Sequence, residues 1–168
     1  MTCGISGAGK STFSKSIVAQ LPNFTRLSID AIIHAEHGLY AIDYPADKYA
    51  DYQVEARQRL ETTLISLLQE GQRDIVLDLA FWNREYRNEF KKIVESNGGR
   101  WLLVFLDAEK EVLWRRIQER RARREALSVE DGRRDGDSAF NVDEGIFEVY
   151  CEGFERPVGE GEVVIKVV

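Results

Sequence analysis

Cysteine occurs only twice, proline three times and methionine once in a chain of 168 residues, and these scarcities exclude whole classes of protein. Cys3 and Cys151 are too few for the disulfide lattice of a small secreted scaffold, and no stretch has the form of a secretory signal, so a reducing, cytoplasmic setting is expected. There is no Pro-rich linker and no internal repeat, and residues 1–168 are expected to form a single domain around one core. Long hydrophobic runs are lacking as well. LISLL and WLLVFL fall far short of the roughly 20 apolar residues that span a bilayer, so no membrane partner is expected. Basic charge is in deficit, with 23 Lys and Arg against 29 Asp and Glu and a net charge of -6. A general positive field for nucleic acid is thereby excluded, and any anion site must be local. His34 and His37, three residues apart without a third ligand, do not define a metal site.

What the chain does contain is an alternation of helical and strand patterns. Phe13, Ile17 and Leu21 recur every four residues and Pro22 stops that helix, after which TRLSID reads as a short strand closing on Asp30. Leu60, Leu64, Leu67 and Leu68 mark a helix from about Val54, ended by Gly71, and DIVLDL reads as a buried strand. Asn83 is placed to cap a helix bearing Tyr86, Phe90, Ile93 and Val94; WLLVFL is another strand, and Asp107 is expected to cap the helix after it. A helix after Asn141 and a terminal strand, VVIKVV, complete the order. Continuous apolar strands separated by helices imply a parallel sheet covered on both faces, an α/β doubly wound fold. Residues 31–53 and 127–140 break the rhythm and are expected to be functional loops too polar or irregular for the core.

Gly4-Ile5-Ser6-Gly7-Ala8-Gly9-Lys10-Ser11 satisfies the P-loop pattern, in which backbone N–H groups curl around a polyphosphate at a helix N-terminus. Gly7, Ala8 and Gly9 would form the cradle, Lys10 would set its charge against the β- and γ-phosphates, Ser11 would ligate Mg²⁺ and Thr12 would reach the α-phosphate. Only Met1-Thr2-Cys3 precede this loop, so a truncated first strand is expected. No guanine-reading Asn-Lys-x-Asp and no ABC-type signature occurs.

Asp78 closes IVLD, where a carboxylate stands near Mg²⁺ in such sites, although an aspartate there can also simply cap the sheet's edge. Asp30, after the preceding strand, is read as the base that accepts the proton of an attacking hydroxyl, with a helix cap as the plainer role. Six arginines fall within residues 115–124, and Arg116, Arg120 and Arg124 share one helical face. So dense a set of like charges reads as a lid, residues 112–140, that clamps phosphates during transfer. The other reading is a solvated basic face offset by Glu119 and Glu125.

GISGAGKST, LSIDAI, IVLDLAFWNREYR, LDAEKEVLWRRIQERR and FERP, in that order, resemble the small P-loop kinases related to polynucleotide 5′-kinases, zeta toxins and chloramphenicol phosphotransferases, most closely their AAA-type kinase group. The resemblance implies a five-stranded sheet of order 2-3-1-4-5, ATP with Mg²⁺ as donor, Asp30 as base or substrate anchor, and Arg116 and Arg120 in the lid. It further implies that Arg84 or Arg87 approaches substrate or phosphate, that Pro157 lies near the adenine, and that Trp82 walls the acceptor pocket, a position where it could equally be packing. Asp30-Ala31-Ile32-Ile33 departs from the Asp-x-x-Arg of members that phosphorylate nucleic-acid ends.

The acceptor is expected against residues 31–57, where Tyr40, Tyr44, Tyr49 and Tyr52 gather, with His34, Tyr40 and Tyr44 among its contacts, because tyrosines offer apolar walls and hydroxyl groups together. The reading is an ATP-dependent phosphotransferase acting on a hydroxyl of a small molecule. A nucleic-acid 5′-end kinase, and an ATP-binding module or ATPase without phosphotransfer, are the alternatives.

Overall fold

The computed structural model describes residues 1–127 and 142–168; the expected helix cap at Asn141 and the distal part of the 112–140 lid lie outside them. Among the described residues five strands and six α-helices follow one another: β1 (Thr2–Cys3), α1 (Lys10–Gln20), β2 (Phe24–Leu27), α2 (Ile29–His37), α3 (Tyr49–Glu70), β3 (Asp74–Leu77), α4 (Arg84–Ser96), β4 (Leu103–Ala108), α5 (Lys110–Ala126), α6 (Glu144–Glu152) and β5 (Glu162–Val167). Every strand pair is parallel, as connections through helices require.

The ladders form two groups, β2-β3 and β1-β4-β5. Two residues make β1, with Thr2 opposite Val104 and Cys3 opposite Phe105. Beyond that ladder, the Thr2 hydroxyl donates to the carbonyls of Leu77 (3.1 Å) and Leu79 (3.3 Å), and Gly4 N–H donates to the Ala80 carbonyl (3.1 Å). β1 therefore runs beside the end of β3 through side-chain and loop bonds, where one continuous five-strand ladder was expected.

Helices cover both faces. Leu60 and Leu64 of α3 and Phe90 and Val94 of α4 pack with Leu77, Leu103 and Phe105 on one side. Leu113 and Ile117 of α5 and Phe147 of α6 pack with Leu106 on the other. The Leu60–Leu64–Leu68 spacing explains why α3 lies flat on the sheet, and Gly71 ends it in the left-handed region (φ 64°).

Three local expectations are corrected. Residues 31–53 are not excluded from the core: Ile33 and Tyr44 are buried against Ala56, because α2 and α3 form a helical hairpin with its own apolar seam. α3 begins at Tyr49, a full turn before the apolar spacing becomes legible at Val54. Asp107 caps no helix. It lies within β4, buried, and pairs with Lys166 of β5 and with Arg156 (2.7 Å), while Glu109 stands at the N-terminus of α5. Burial alone would raise the Asp107 carboxyl, but the hydrogen bonds from Lys166 and Arg156 outweigh it and hold its pKa below the ordinary range. The last described helix, α6, is capped by Asp143, whose carboxylate accepts from Ile146 N–H (2.8 Å).

Candidate active site

β1, β2 and β3 all end on the same side of the sheet, and their outgoing segments form one cleft of about 1270 Å³. That is where the carboxyl ends of parallel strands are expected to present ligand contacts. β1 delivers the P-loop. Gly7 and Gly9 adopt φ values of 89° and 91°, the left-handed turns that let a phosphate-binding loop fold back on itself, and α1 starts at Lys10 immediately behind it. Gly4, Ile5, Ser6, Gly7, Gly9, Lys10, Ser11 and Thr12 all face the cleft. Ala8 does not: its side chain is buried with Leu106 and Leu113, and its N–H donates to the Ile5 carbonyl (3.2 Å). Ala8 thus shapes the loop from behind.

Gly7 admits no side chain. A Cβ there would meet the Leu113 carbonyl of α5 at 2.6 Å, in a left-handed backbone that already disfavours one. Gly7→Ala is expected to cost at least ~2 kcal/mol in urea unfolding and to remove nucleotide binding, since the loop must move off α5 to relieve the clash.

Lys10 Nζ donates to the Ile5 carbonyl (3.1 Å). Burial pushes its ammonium pKa down, and the charges of Asp78 and Asp30 pull it back up. A partly desolvated cation here is favourable ground for a phosphate. Lys15, Arg120, Arg123 and Arg124 line the same cleft, and Arg120 Nη2 donates to Ser6 Oγ (3.4 Å), tying α5 to the loop.

Asp78 follows β3 and is buried. Arg26, one strand over, grips its Oδ2 through Nε (2.8 Å) and Nη2 (2.6 Å). This pairing was not anticipated; the parallel register of Arg26 with Val76 places the arginine two residues from its partner. The donor set fits Mg²⁺. Ser11 and Asp78 open on one cleft with a hydroxyl and a carboxylate, and Asp78 Oδ1 stands outside the Arg26 clamp; one or two hard oxygen ligands beside phosphates and water are what this ion takes.

Asp30 also faces the cleft, but from the first turn of α2 and not from a strand end. Ser28 is the cap, accepting from Ala31 N–H (3.4 Å), so Asp30 is spared that duty. Its Oδ1 accepts from the Tyr49 hydroxyl (3.3 Å), and burial, then the Asp30 charge, push the Tyr49 pKa far up, so Tyr49 stays a donor.

The residues expected to contact an acceptor are placed differently from the expectation. Tyr49, Gln53 and Arg57, one turn apart on α3, form one wall, and Trp82, Asn83, Glu85, Tyr86 and Glu89 form the other. The earlier start of α3 is what brings Tyr49 into this row; the spacing of four was the signal available. Trp82 is at the cleft, 52% exposed. His34, Tyr40 and Tyr44 are not among its lining residues. Tyr44 is buried behind α2 with its ring edge-on to Tyr40 and Tyr52, so these tyrosines pack the helical hairpin.

Arg84 and Arg87 are likewise corrected. Arg84 turns away to the Val158 carbonyl (3.0 Å) and Glu160 (3.4 Å). Arg87 is fully buried and donates to the carbonyls of Phe81 (2.9 Å) and Glu155 (2.8 Å) and, through Nε (3.0 Å) and Nη2 (2.6 Å), to the Glu160 carboxylate. Pro157 is buried and outside the lining, in the segment these arginines fasten. Arg116 lies over the back of the loop, 3.8 Å from where a Cβ on Gly9 would sit, and donates to the Val168 carbonyl (2.8 Å).

Phosphate cradle, paired carboxylates and basic helix together define a nucleotide-binding P-loop domain. The family model described as AAA domain (AAA_33) matches residues 1–157, and the chain belongs to that family. No curated protein matches the chain. Among solved structures, a Chloroflexus aurantiacus protein designated a kinase is similar at a TM-score of 0.68 and 19% identity, over 98% of this chain and 85% of that one. The Chaetomium thermophilum Kti12, in complex with ADP-AlF3, is similar at 0.62 and 13% identity (98% and 87% covered). The Mycobacterium tuberculosis APS kinase CysC, in complex with AMPPNP and APS, is similar at 0.58 and 19% identity (98% and 85% covered). These likenesses establish the P-loop kinase type of fold. Among the described residues no helix is long and apolar enough to cross a membrane.

Proposed function

We propose that the protein is an ATP-dependent phosphotransferase that moves the γ-phosphate to a hydroxyl of a small molecule. The observation that carries this is the convergence in one cleft of the glycine-rich loop, Lys10, the Arg-lined face of α5 and Asp30. A binding module would need the first two. Asp30 is the group that transfer to an alcohol requires.

In this reading the loop and Lys10 hold the phosphate tail, and Arg120, Arg123 and Arg124 spread positive charge over the moving group. Ser11 and Asp78 would hold Mg²⁺, which supplies charge neutralisation at the phosphate oxygens. Arg26 fixes the Asp78 carboxylate in place. The acceptor oxygen bonds to the γ-phosphorus as the bond to the β,γ-bridging oxygen breaks; the hydroxyl proton passes to the Asp30 carboxylate, and ADP leaves. Tyr49 orients that carboxylate.

The test is to incubate the protein with γ-labelled ATP, Mg²⁺ and a library of hydroxylated metabolites, following label in phosphate esters. Esters are expected with the parent chain and a loss of at least ~100-fold with Lys10→Met. ATP binding without any ester, across the library, would leave the domain as a nucleotide-binding module.

A further inference from the structure

Beyond the P-loop, α1 and α5, the lining of the cleft is rich in acidic and aromatic side chains. Three carboxylates, Asp30, Glu85 and Glu89, line it together with Tyr49, Trp82, Tyr86 and Tyr150. Asp30 and Tyr150 are close enough for the Asp30 charge to raise the Tyr150 pKa, though burial is the larger cause, so α6 closes over the same space.

The one arginine among the described residues on these two walls is already engaged. Arg57 donates through Nε to Glu61 (2.7 Å) and through Nη2 to Glu89 (2.5 Å), and its guanidinium lies over the Tyr86 ring, 5.0 Å from the centroid. An anionic acceptor would have to displace a carboxylate from Arg57 and would still face Asp30 and Glu85. The other cations of the lining belong to the P-loop and to α1 and α5: Lys10, Lys15, Arg120, Arg123 and Arg124. Arg120 reaches the P-loop at Ser6, Glu85 and Glu89 stand on α4 beside Arg57, and Asp30 is near enough to both the Tyr49 hydroxyl and Lys10 to act on each.

Aromatic planes add a second, separate signal. Trp82 lines the cleft and is half in solvent, so its ring is accessible to a ligand in that space. Faces of tryptophan and tyrosine stack on the C–H faces of saturated rings and attract ammonium groups. Carboxylates beside them take charge-assisted hydrogen bonds from the same ammonium.

We propose that the acceptor is a cationic polyhydroxylated ring, of the amino-sugar or aminocyclitol class, whose ammonium is read by Glu85 and Glu89 while Trp82 covers the ring and Asp30 takes the hydroxyl proton. Anionic acceptors, including nucleotides and nucleic-acid ends, are rejected by the same carboxylates. The proposal rests on the phosphotransferase reading for the role of Asp30 alone; the recognition itself is a binding property.

The test uses matched ligands on the full chain loaded with AMPPNP and Mg²⁺: glucosamine, N-acetylglucosamine and glucuronate, and 2-deoxystreptamine with its di-N-acetyl derivative, titrated by calorimetry. Amines are expected to bind at least ~10-fold more tightly than their neutral partners, and glucuronate most weakly. Glu85→Gln and the double variant Glu85→Gln/Glu89→Gln should bring amine and N-acetyl forms to within about threefold of each other, whereas Trp82→Ala should weaken both alike. Equal or tighter binding of the anion, a preference unmoved by the glutamine variants, or no binding of any amine overturns the proposal. Preferential amine binding without transfer from ATP sinks the phosphotransferase reading and leaves this one standing. Transfer to an anionic acceptor does the reverse.

Discussion

Asp30→Asn is expected to lower phosphoryl transfer by roughly 10²–10⁴-fold while leaving ATP affinity within about twofold of the parent, because the change removes a proton acceptor and nothing that holds phosphate. The substitution is nearly isosteric, and the α2 cap belongs to Ser28, so the helix persists. The amide oxygen of the new side chain would still accept from the Tyr49 hydroxyl, which keeps the acceptor wall in place. Tyr49→Phe provides the graded comparison: it leaves the base but frees its carboxylate to rotate, so a smaller fall, of about tenfold, is expected, expressed mainly in kcat. Steady-state kinetics with the best acceptor, together with calorimetric ATP titration, checks both. An Asp30→Asn chain that transfers phosphate at the parent rate would assign the base elsewhere.

What sequence reasoning recovered at this site, and what it missed, divides along a physical line. The phosphate cradle is local: the spacing of Gly4, Gly7, Gly9 and Lys10 demands backbone shapes that few other sequences adopt, so the loop was legible before any fold was known. The place of Asp78 beside the cleft was legible because a carboxylate after a buried run in a parallel sheet has few places to go. The wall formed by α3 was legible only at Tyr49, because the rest depends on which way two helices face. Tyr40, Tyr44 and Tyr52 are close in sequence to Tyr49, yet only Tyr49 shares the Gln53–Arg57 face; the others seal the α2–α3 seam.

Arg87 shows the limit most plainly. An arginine after a strand and near a P-loop invites a phosphate role, but its spacing to Phe90, Lys91 and Val94, all buried, puts it on the inner face of α4. That periodicity was readable in the sequence. Its partner Glu160 was not, being 73 residues away in the chain. The same holds for Asp107, whose partners Arg156 and Lys166 arrive only with β5 and the segment before it.

Arg87→Met is accordingly expected to destabilise the fold by about 3–5 kcal/mol, because two carbonyls lose their donor and the buried Glu160 carboxylate, left with Lys91 and Arg84, loses its two-bond partner. One of those carbonyls belongs to Phe81, a fully buried residue held at φ 46°, a backbone region that bulky side chains avoid. Arg87 and Cys3, whose thiol approaches the same oxygen at 3.4 Å, hold this turn in shape. The turn in turn presents Trp82 to the cleft and lets Asn83 cap α4, accepting from Tyr86 N–H at 2.7 Å. Loss of Arg87 therefore should also weaken acceptor binding without touching the phosphate end. Hydrogen bonding from Arg87 lowers the Glu160 pKa from 4.5 to about 2, with Lys91 adding to it (3.1 Å). A carboxyl depressed on folding stabilises the native state fully above its unfolded pKa, and that contribution is lost as pH falls from near 4.5 towards 2. In Arg87→Met this acid-induced loss should shrink, so urea midpoints of parent and variant should differ most at neutral pH and converge towards pH 2. Glu160→Gln gives the complementary case: it leaves Arg87 charged and buried, and should be destabilising at neutral pH with the same convergence in acid. A parent and an Arg87→Met chain of equal stability at neutral pH would mean that the pair holds neither the turn nor the segment after α6 in place.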